Sequence, residues 1–374
     1  MTVEHLLSAY IDTNIVLITV AVIWFISRKI LARSRFRTTY SIQLHLLYGL
    51  VAMVAISPFL MAGMEQLQRV GILSTHSGLS LSDFLVSQYL HGNIALAPTE
   101  FERLIMWRTE IIHEIASLTS WLGYVVLGGL TVGFAVVVVR NARDTAHLMK
   151  MIRNSYVLRR AGRLHIRFTH ETRVPFSTRG LFRHYIVLPT DLLAQQNDVR
   201  IAVGHETQHV RQHDLTWEVA LELIRPFFFW NPAFGFCKRD VERLRELACD
   251  QQVLSRNTHP VRDYCECLLR VCQTSLTGDR SNQIMTPCVP FVQIDRRMNA
   301  SHSGRFLKLR ILSLLEKDAI PTRPRIGTGI IALSVVLTLF TAIAVRPTTN
   351  WSHDRLMLST IVNLERLNTR TLTQ

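Results

Sequence analysis

Val203-Gly204-His205-Glu206-Thr207-Gln208-His209-Val210 contains His-Glu-x-x-His. Residues four apart share one face of a helix, so His205 and His209 can aim at one ion, and Glu206, one step round, can reach a water on that ion. This is the pattern of zinc hydrolases, in which two imidazoles hold Zn2+ and the glutamate takes the proton of the attacking water. The competing reading is a solvated polar helix face that happens to carry two histidines.

A catalytic zinc needs a third protein ligand and an open position. Downstream, Glu246-Leu247-Ala248-Cys249-Asp250 reads as Glu-x-x-x-Asp on a second helix. Glu246 is the expected third ligand. Asp250, one turn on, is the expected acceptor for the spare N–H of a ligand histidine. Glu242 is the rival ligand, but no aspartate follows it by four residues. Phe228-Phe229-Trp230-Asn231-Pro232 is apolar and then broken by Asn-Pro, the turn that a helical hairpin requires. His213 continues the row of His205 and His209 and is expected on the helix face or behind a ligand, with Asp214 in local ion pairs. Arg262 and Tyr264 are weak candidates for steadying an oxyanion.

Taken together, His205-Glu-x-x-His209, His213-Asp214, Trp230-Asn231-Pro232 and Glu246-Leu-Ala-Cys249-Asp250 resemble the BlaR/MecR family of membrane metallopeptidases, which transduce beta-lactam signals. Val174-Pro175-Phe176-Ser177, Gly180-Leu181-Phe182 and Ile186-Val187-Leu188-Pro189 fit on one side of the motif. Tyr264, Leu268-Leu269 and Arg310-Ile311 fit on the other. The resemblance covers residues from about Arg140 to Lys317 and the pattern of apolar spans around them. It implies that the substrates are the protein's own cytoplasmic loop and a transcriptional repressor. It departs in one respect: the sequence from Val345 to Gln374 contains no Ser-x-x-Lys. The penicillin-binding sensor domain of those receptors is therefore not expected here, and the resemblance carries the protease and its topology but not the ligand.

Composition agrees with a membrane protein that has a soluble part. Charged residues make up 19% of the 374 residues, hydrophobic residues 48%, and mean hydropathy is +0.18. The formal net charge of +14 lies largely beside apolar runs, where it reads as topology signal and attraction to anionic lipid. No helix-turn-helix or zinc-finger pattern accompanies it, so membrane lipid and not nucleic acid is the expected partner. All six cysteines fall between Cys237 and Cys288, in a segment expected to be cytoplasmic, and should be reduced thiols, with Cys249 packed in the core.

The first apolar run, about Asn14 to Ile30, is followed by Arg28, Lys29, Arg33, Arg35 and Arg37, a short basic loop that the positive-inside rule places in the cytoplasm. A second span is expected at about Ser41 to Gly63 and a third at about Ile115 to Val139, ahead of Arg140 and Arg143. A fourth is expected at about Ile326 to Val345. Ser82 to Leu90 reads as a short interfacial helix. Thr99 and Glu102 suggest a capping box at the start of a helix that runs into the third span. Leu164 to Pro189 looks β-rich, with short strands at 174–178 and 185–188, and could hold an extended peptide by its edge. Asn197 or Asp198 is the expected cap of a helix carrying Ile201 to Leu223. Helix should continue past Asp250 to about Thr274. Ser275 to Ser303 should be a flexible loop, and 306–315 helix again. Leu356, Ile361, Leu364 and Leu367 could line an amphipathic helix on the membrane.

The expected fold is thus a mostly α membrane protein. Four transmembrane helices enclose a cytoplasmic α+β, gluzincin-type zinc metallopeptidase domain between the third and fourth. Residues 1–139 hold three spans and an outer loop at about 64–110, residues 140–325 the domain, 326–345 the fourth span, and 346–374 a short outer tail. The expected protein is a zinc endopeptidase of a bacterial inner membrane, with both termini outside and His205, Glu206, His209, Glu246 and Asp250 facing the cytoplasm. The alternatives are an HtpX-like quality-control protease and a signalling scaffold that keeps its zinc without turnover.

Overall fold

A computed structural model of the chain describes residues 3–33, 37–70, 81–91, 93–94, 96–256, 260–276, 288–290, 300–315 and 357–365, together with scattered helical positions between 329 and 340. The chain divides into two compact units. One comprises Met1–Ile26, Gly49–Val132 and Thr328–Gln374, the other Ser27–Tyr48 and Gly133–Gly327.

The first unit is helical. It holds the larger part of the long apolar helices α1 (Val3–Arg33) and α2 (Tyr40–Arg69), all of α3 (Leu81–Leu90) and α4 (Pro98–Ser117), and the first third of α5 (Trp121–Asn154). Among the described residues three helices are long and apolar enough to cross a membrane: Val3–Arg33, Tyr40–Leu60 and Trp121–Asn154. Most of the expected fourth span lies outside the described residues. Pro58 sits inside α2, as a membrane helix tolerates.

Two expectations are corrected here. The residue flanking α4 is Ala97, with Pro98 at its first position and no side-chain cap. The Thr99 N–H, left over at the helix start, donates to Glu365 Oε2 at 3.1 Å. Nor does α4 continue into the third apolar helix, because Leu118 at φ 54 ends it. The tail helix at 357–365 uses Leu358 and Val362 to pack on Val86 and Phe101 of α3 and α4. Ile361 and Leu364 remain exposed, and Leu356 and Leu367 fall outside the described residues.

The second unit pairs a five-stranded sheet with helices. Its strands are β1 (Tyr156–Ala161), β2 (Leu164–Thr169), β3 (Phe176–Arg179), β4 (His184–Pro189) and β5 (Cys288–Pro290), in the order β1-β2-β4-β3-β5. Only β2 and β4 run parallel. β2, β3 and β4 are where the apolar alternation puts them. β1, exposed along its whole length, and β5, inside the segment expected as loop, lack that alternation.

The helices that lie wholly in this unit among the described residues are α6 (Gln196–Arg211), α7 (Asp214–Ile224), α8 (Pro232–Ser255), α9 (Val261–Leu276) and α10 (Ala300–Leu315). The helix expected across 201–223 is therefore two, broken at His213, whose φ is 60. The helix expected through Asp250 to Thr274 is also two, α8 and α9. Asn231-Pro232 is the turn that its sequence suggests: Asn231 Oδ1 accepts the Ala233 N–H at 3.0 Å and Pro232 opens α8. The sheet face of Ile166, Phe168, Ile186 and Leu188 packs on Ala202 of α6. On the other side of α6, Ile201 joins Cys249, Val253, Tyr264, Cys267 and Leu268 of α8 and α9.

Candidate metal centre

α6 is sandwiched between sheet and helices, and its motif residues are entirely buried: His205, Glu206 and His209 are each 0% exposed. The residue flanking the helix start is Gln195, not Asn197 or Asp198. Asp198 instead takes a two-pronged bond from Arg270 of α9, at 2.8 and 2.7 Å, which ties the start of α6 to its neighbour.

One turn of helix brings the two Nε2 atoms within 3.0 Å of each other. α8 runs past them, and Glu246 places its two carboxylate oxygens 3.6 Å from His205 Nε2 and 3.6 Å from His209 Nε2. The three expected ligands thus converge on one point. Glu242 points elsewhere, toward Lys238 at 3.7 Å. Cys249 also lies near enough to form a group with the two histidines, all three offering ligand atoms within 4.8 Å. Its sulfur, however, is 3.6 Å from His205 Nδ1, the nitrogen turned away from Glu246, and it packs in the core as expected. Glu246 approaches both Nε2 atoms, whereas the Cys249 sulfur lies on the Nδ1 side of His205.

Behind each histidine stands a carboxylate. His209 Nδ1 is 2.8 Å from Asp214 Oδ2. His205 Nδ1 is 2.7 Å from the Tyr264 hydroxyl, which donates to Asp250 Oδ1 at 2.6 Å, while Asp250 itself is 3.4 Å from the ring nitrogen. Asp250 therefore meets the His205 ring chiefly through the Tyr264 hydroxyl. Arg310 of α10, 1% exposed, bonds both Asp250 oxygens at 2.6 Å and approaches Glu246 at 3.2 Å. Burial works against the charge of both carboxylates, but Arg310 prevails and holds their pKa values below the ordinary range.

Tyr264, buried, places its hydroxyl between His205 and Asp250. Arg262 is exposed and pairs with Glu266 at 2.9 Å. His213 is at the break between helices and has left the row of His205 and His209. Arg310 and the role of Asp214 escape the spacing argument. Their sequence traces are an arginine within the apolar run Phe306–Leu315, and an aspartate just after the motif helix.

Glu206 shares one feature with Glu246: neither oxygen of either carboxylate has a hydrogen-bond partner among the described residues. Burial raises the Glu206 pKa above the carboxylate norm, against the pull of His209, His205 and Ser177 on β3. The donor set suits a divalent cation: Glu206 and Glu246 lie beside two imidazoles, and only Glu246 of the two pairs with Arg310, at 3.2 Å. Burial opposes a charge on His209, yet Cys249 and Asp214 beside it hold its pKa up at about 10.

A 94-residue stretch is 34% identical to the methicillin resistance mecR1 protein of Staphylococcus aureus, covering 24% of this chain and 16% of that protein. The same figures hold for the Staphylococcus epidermidis protein. A 78-residue stretch is 27% identical to the regulatory protein BlaR1 of Bacillus licheniformis, covering 21% of this chain and 13% of that protein. These matches span less than a fifth of their relatives' length. The model of the family described as BlaR1 peptidase M56 matches residues 5–300, from the first apolar helix through the metal centre, and the chain belongs to that family.

Proposed function

We propose that this protein is a membrane-embedded zinc endopeptidase that works on the cytoplasmic side of the membrane and transduces a signal by cleaving itself, a transcriptional repressor, or both. The observation that carries the reading is the convergence of His205, His209 and Glu246 beside a buried Glu206 whose carboxylate has no hydrogen-bond partner among the described residues. His205, His209 and Glu246 would hold the metal, with Asp214, Tyr264 and Asp250 fixing the two rings. Bound zinc supplies Lewis acidity, lowering the pKa of water toward about 7 and polarising the scissile carbonyl. Glu206 takes a proton from the attacking water and returns it to the leaving amine. Its raised pKa suits a group that must both accept and release a proton.

Self-cleavage is supported by β5. Val289 pairs with Ser177 on the edge of β3, and Ser177 is the strand residue whose pull reaches Glu206. An extended chain is therefore held by main-chain bonds beside the proposed base. The repressor as substrate rests on the family and on relatives named for methicillin resistance and regulation. The cytoplasmic orientation rests on the basic loop Arg28–Arg37 and on Arg140 and Arg143.

The test is expression in membranes of the wild type and Glu206→Gln, tagged at both ends and blotted for fragments. Fragments from the wild type alone, abolished by a chelator, are expected. Identical fragments from Glu206→Gln would overturn the assignment.

A further inference from the structure

The loop joining the first two apolar helices is short and basic, and nothing in its sequence suggests a part in chemistry. Yet Ser27–Tyr48 belongs to the same compact unit as the metal centre. Arg28 Nη1 bonds Asp240 Oδ2 at 2.7 Å, and the Thr38 carbonyl accepts from Gln251 Nε2 at 3.0 Å. Both partners are on α8, one on either side of Glu246. At the other end of the segment Tyr48, 4% exposed, stacks on Trp217 of α7 with ring centres 4.3 Å apart and planes 3° from parallel. Its hydroxyl lies 3.4 Å from Asp214 Oδ1, and the other oxygen of Asp214 is the one against His209 Nδ1.

Resting on the metallopeptidase reading, we infer that Tyr48 is a positioning residue of the metal centre: through Asp214 it sets the ring of His209 and so links the start of the second apolar helix to the metal. The chemistry is that of a buried carboxylate with two jobs. Asp214 is 0% exposed, and the oxygen not used by His209 needs a donor of its own to stay put. Tyr48 offers one, at the long end of hydrogen-bond range, and the parallel stack on Trp217 fixes where it stands. A shift of Tyr48 frees Asp214 to turn, and the imidazole that it orients turns with it. The state of the second helix is then felt at a metal ligand. Arg28 and Thr38 hold the flanks of the Glu246 segment in the same way.

The experiment uses the full chain in lipid nanodiscs, in a Glu206→Gln background so that it stays intact. Zinc affinity is read by competition with a chromophoric chelator, and the cobalt-substituted protein by its d–d bands. Tyr48→Phe keeps the ring and its stack and removes the hydroxyl. Tyr89→Phe, whose ring stacks on Phe101 in the other unit, is the control. Tyr48→Phe is expected to bind zinc roughly tenfold more weakly and to shift the cobalt bands, with the unfolding temperature of the metal-free protein unchanged. Zinc affinity within twofold of the parent and superimposable cobalt bands would overturn the inference. So would a weakening matched by an equal loss of metal-free stability, which would make Tyr48 a packing residue. A parent that binds no zinc would overturn the metallopeptidase reading itself, and this inference with it.

Discussion

Asp214 Oδ2 reaches His209 Nδ1 at 2.8 Å although the two residues are five apart in sequence, a separation that turns side chains away from each other on one helix. The contact exists because the helix breaks between them. His213 takes φ 60 and ψ 20, and the chain re-enters helix with Asp214 at the first turn of α7, where the N-terminal dipole also favours its charge. A non-glycine residue in this conformation is strained by roughly 1–2 kcal/mol. His213→Gly should therefore melt within a few degrees of wild type. His213→Val, β-branched in a left-handed conformation, should lower stability by about 1–2 kcal/mol. Thermal unfolding of the three proteins checks this.

Arg310 pairs with both Asp250 and Glu246, which are each 0% exposed. Arg310→Met would leave two buried carboxylates without their cation and should cost about 3–5 kcal/mol. Saturating zinc should recover part of that loss, because the metal restores positive charge beside Glu246. A chemical-denaturation series with and without zinc reads both numbers.

Metal removal should be visible without any substrate. A cation bound only by the folded protein stabilises it by about 2.7 kcal/mol at a hundred times its dissociation constant. Chelation should lower the unfolding temperature of the wild type and zinc should restore it. In Glu246→Gln the chelator should change little.

Acid should act through a different cluster. Glu218, 4% exposed, is paired with Arg245 at 2.7 Å and Lys238 at 3.4 Å. Burial raises its pKa, but Lys238 and Arg245 more than reverse this and bring it down to about 2. A carboxylate depressed on folding contributes stability that is present above its unfolded value and lost as pH falls toward its folded one. This contribution should fade between about pH 4.5 and pH 2. Glu218→Gln should be less stable than wild type at pH 7 by roughly 3 kcal/mol, with the gap closing over that window in paired melting curves.

What could be read in the sequence was what repeats locally. Helical spacing puts His205, Glu206 and His209 on one helix and Glu246 with Asp250 on another, and both helices form. Alternation marks β2, β3 and β4. The remaining members of the site are tertiary. Arg310 arrives from α10 and Tyr264 from α9, and no spacing rule connects either to the motif. The break at His213 is hidden because histidine is not the residue that such a conformation prefers. β1 and β5 carry no apolar alternation, one because both its faces are exposed, the other because it is three residues long.

β5 belongs to the same chain as the edge on which it lies, pairing Cys288, Val289 and Pro290 with Thr178, Ser177 and Phe176. A tethered segment meets its own binding edge at an effective concentration on the order of millimolar. Any other extended chain offered to β3 competes with that figure, so a partner present at micromolar levels and matched in affinity would occupy a minor share of molecules while β5 is in place. β5 is connected on both sides, to α9 and to α10, so a single cut would leave it a resident strand and only cutting both connections would turn it into a dilute rival.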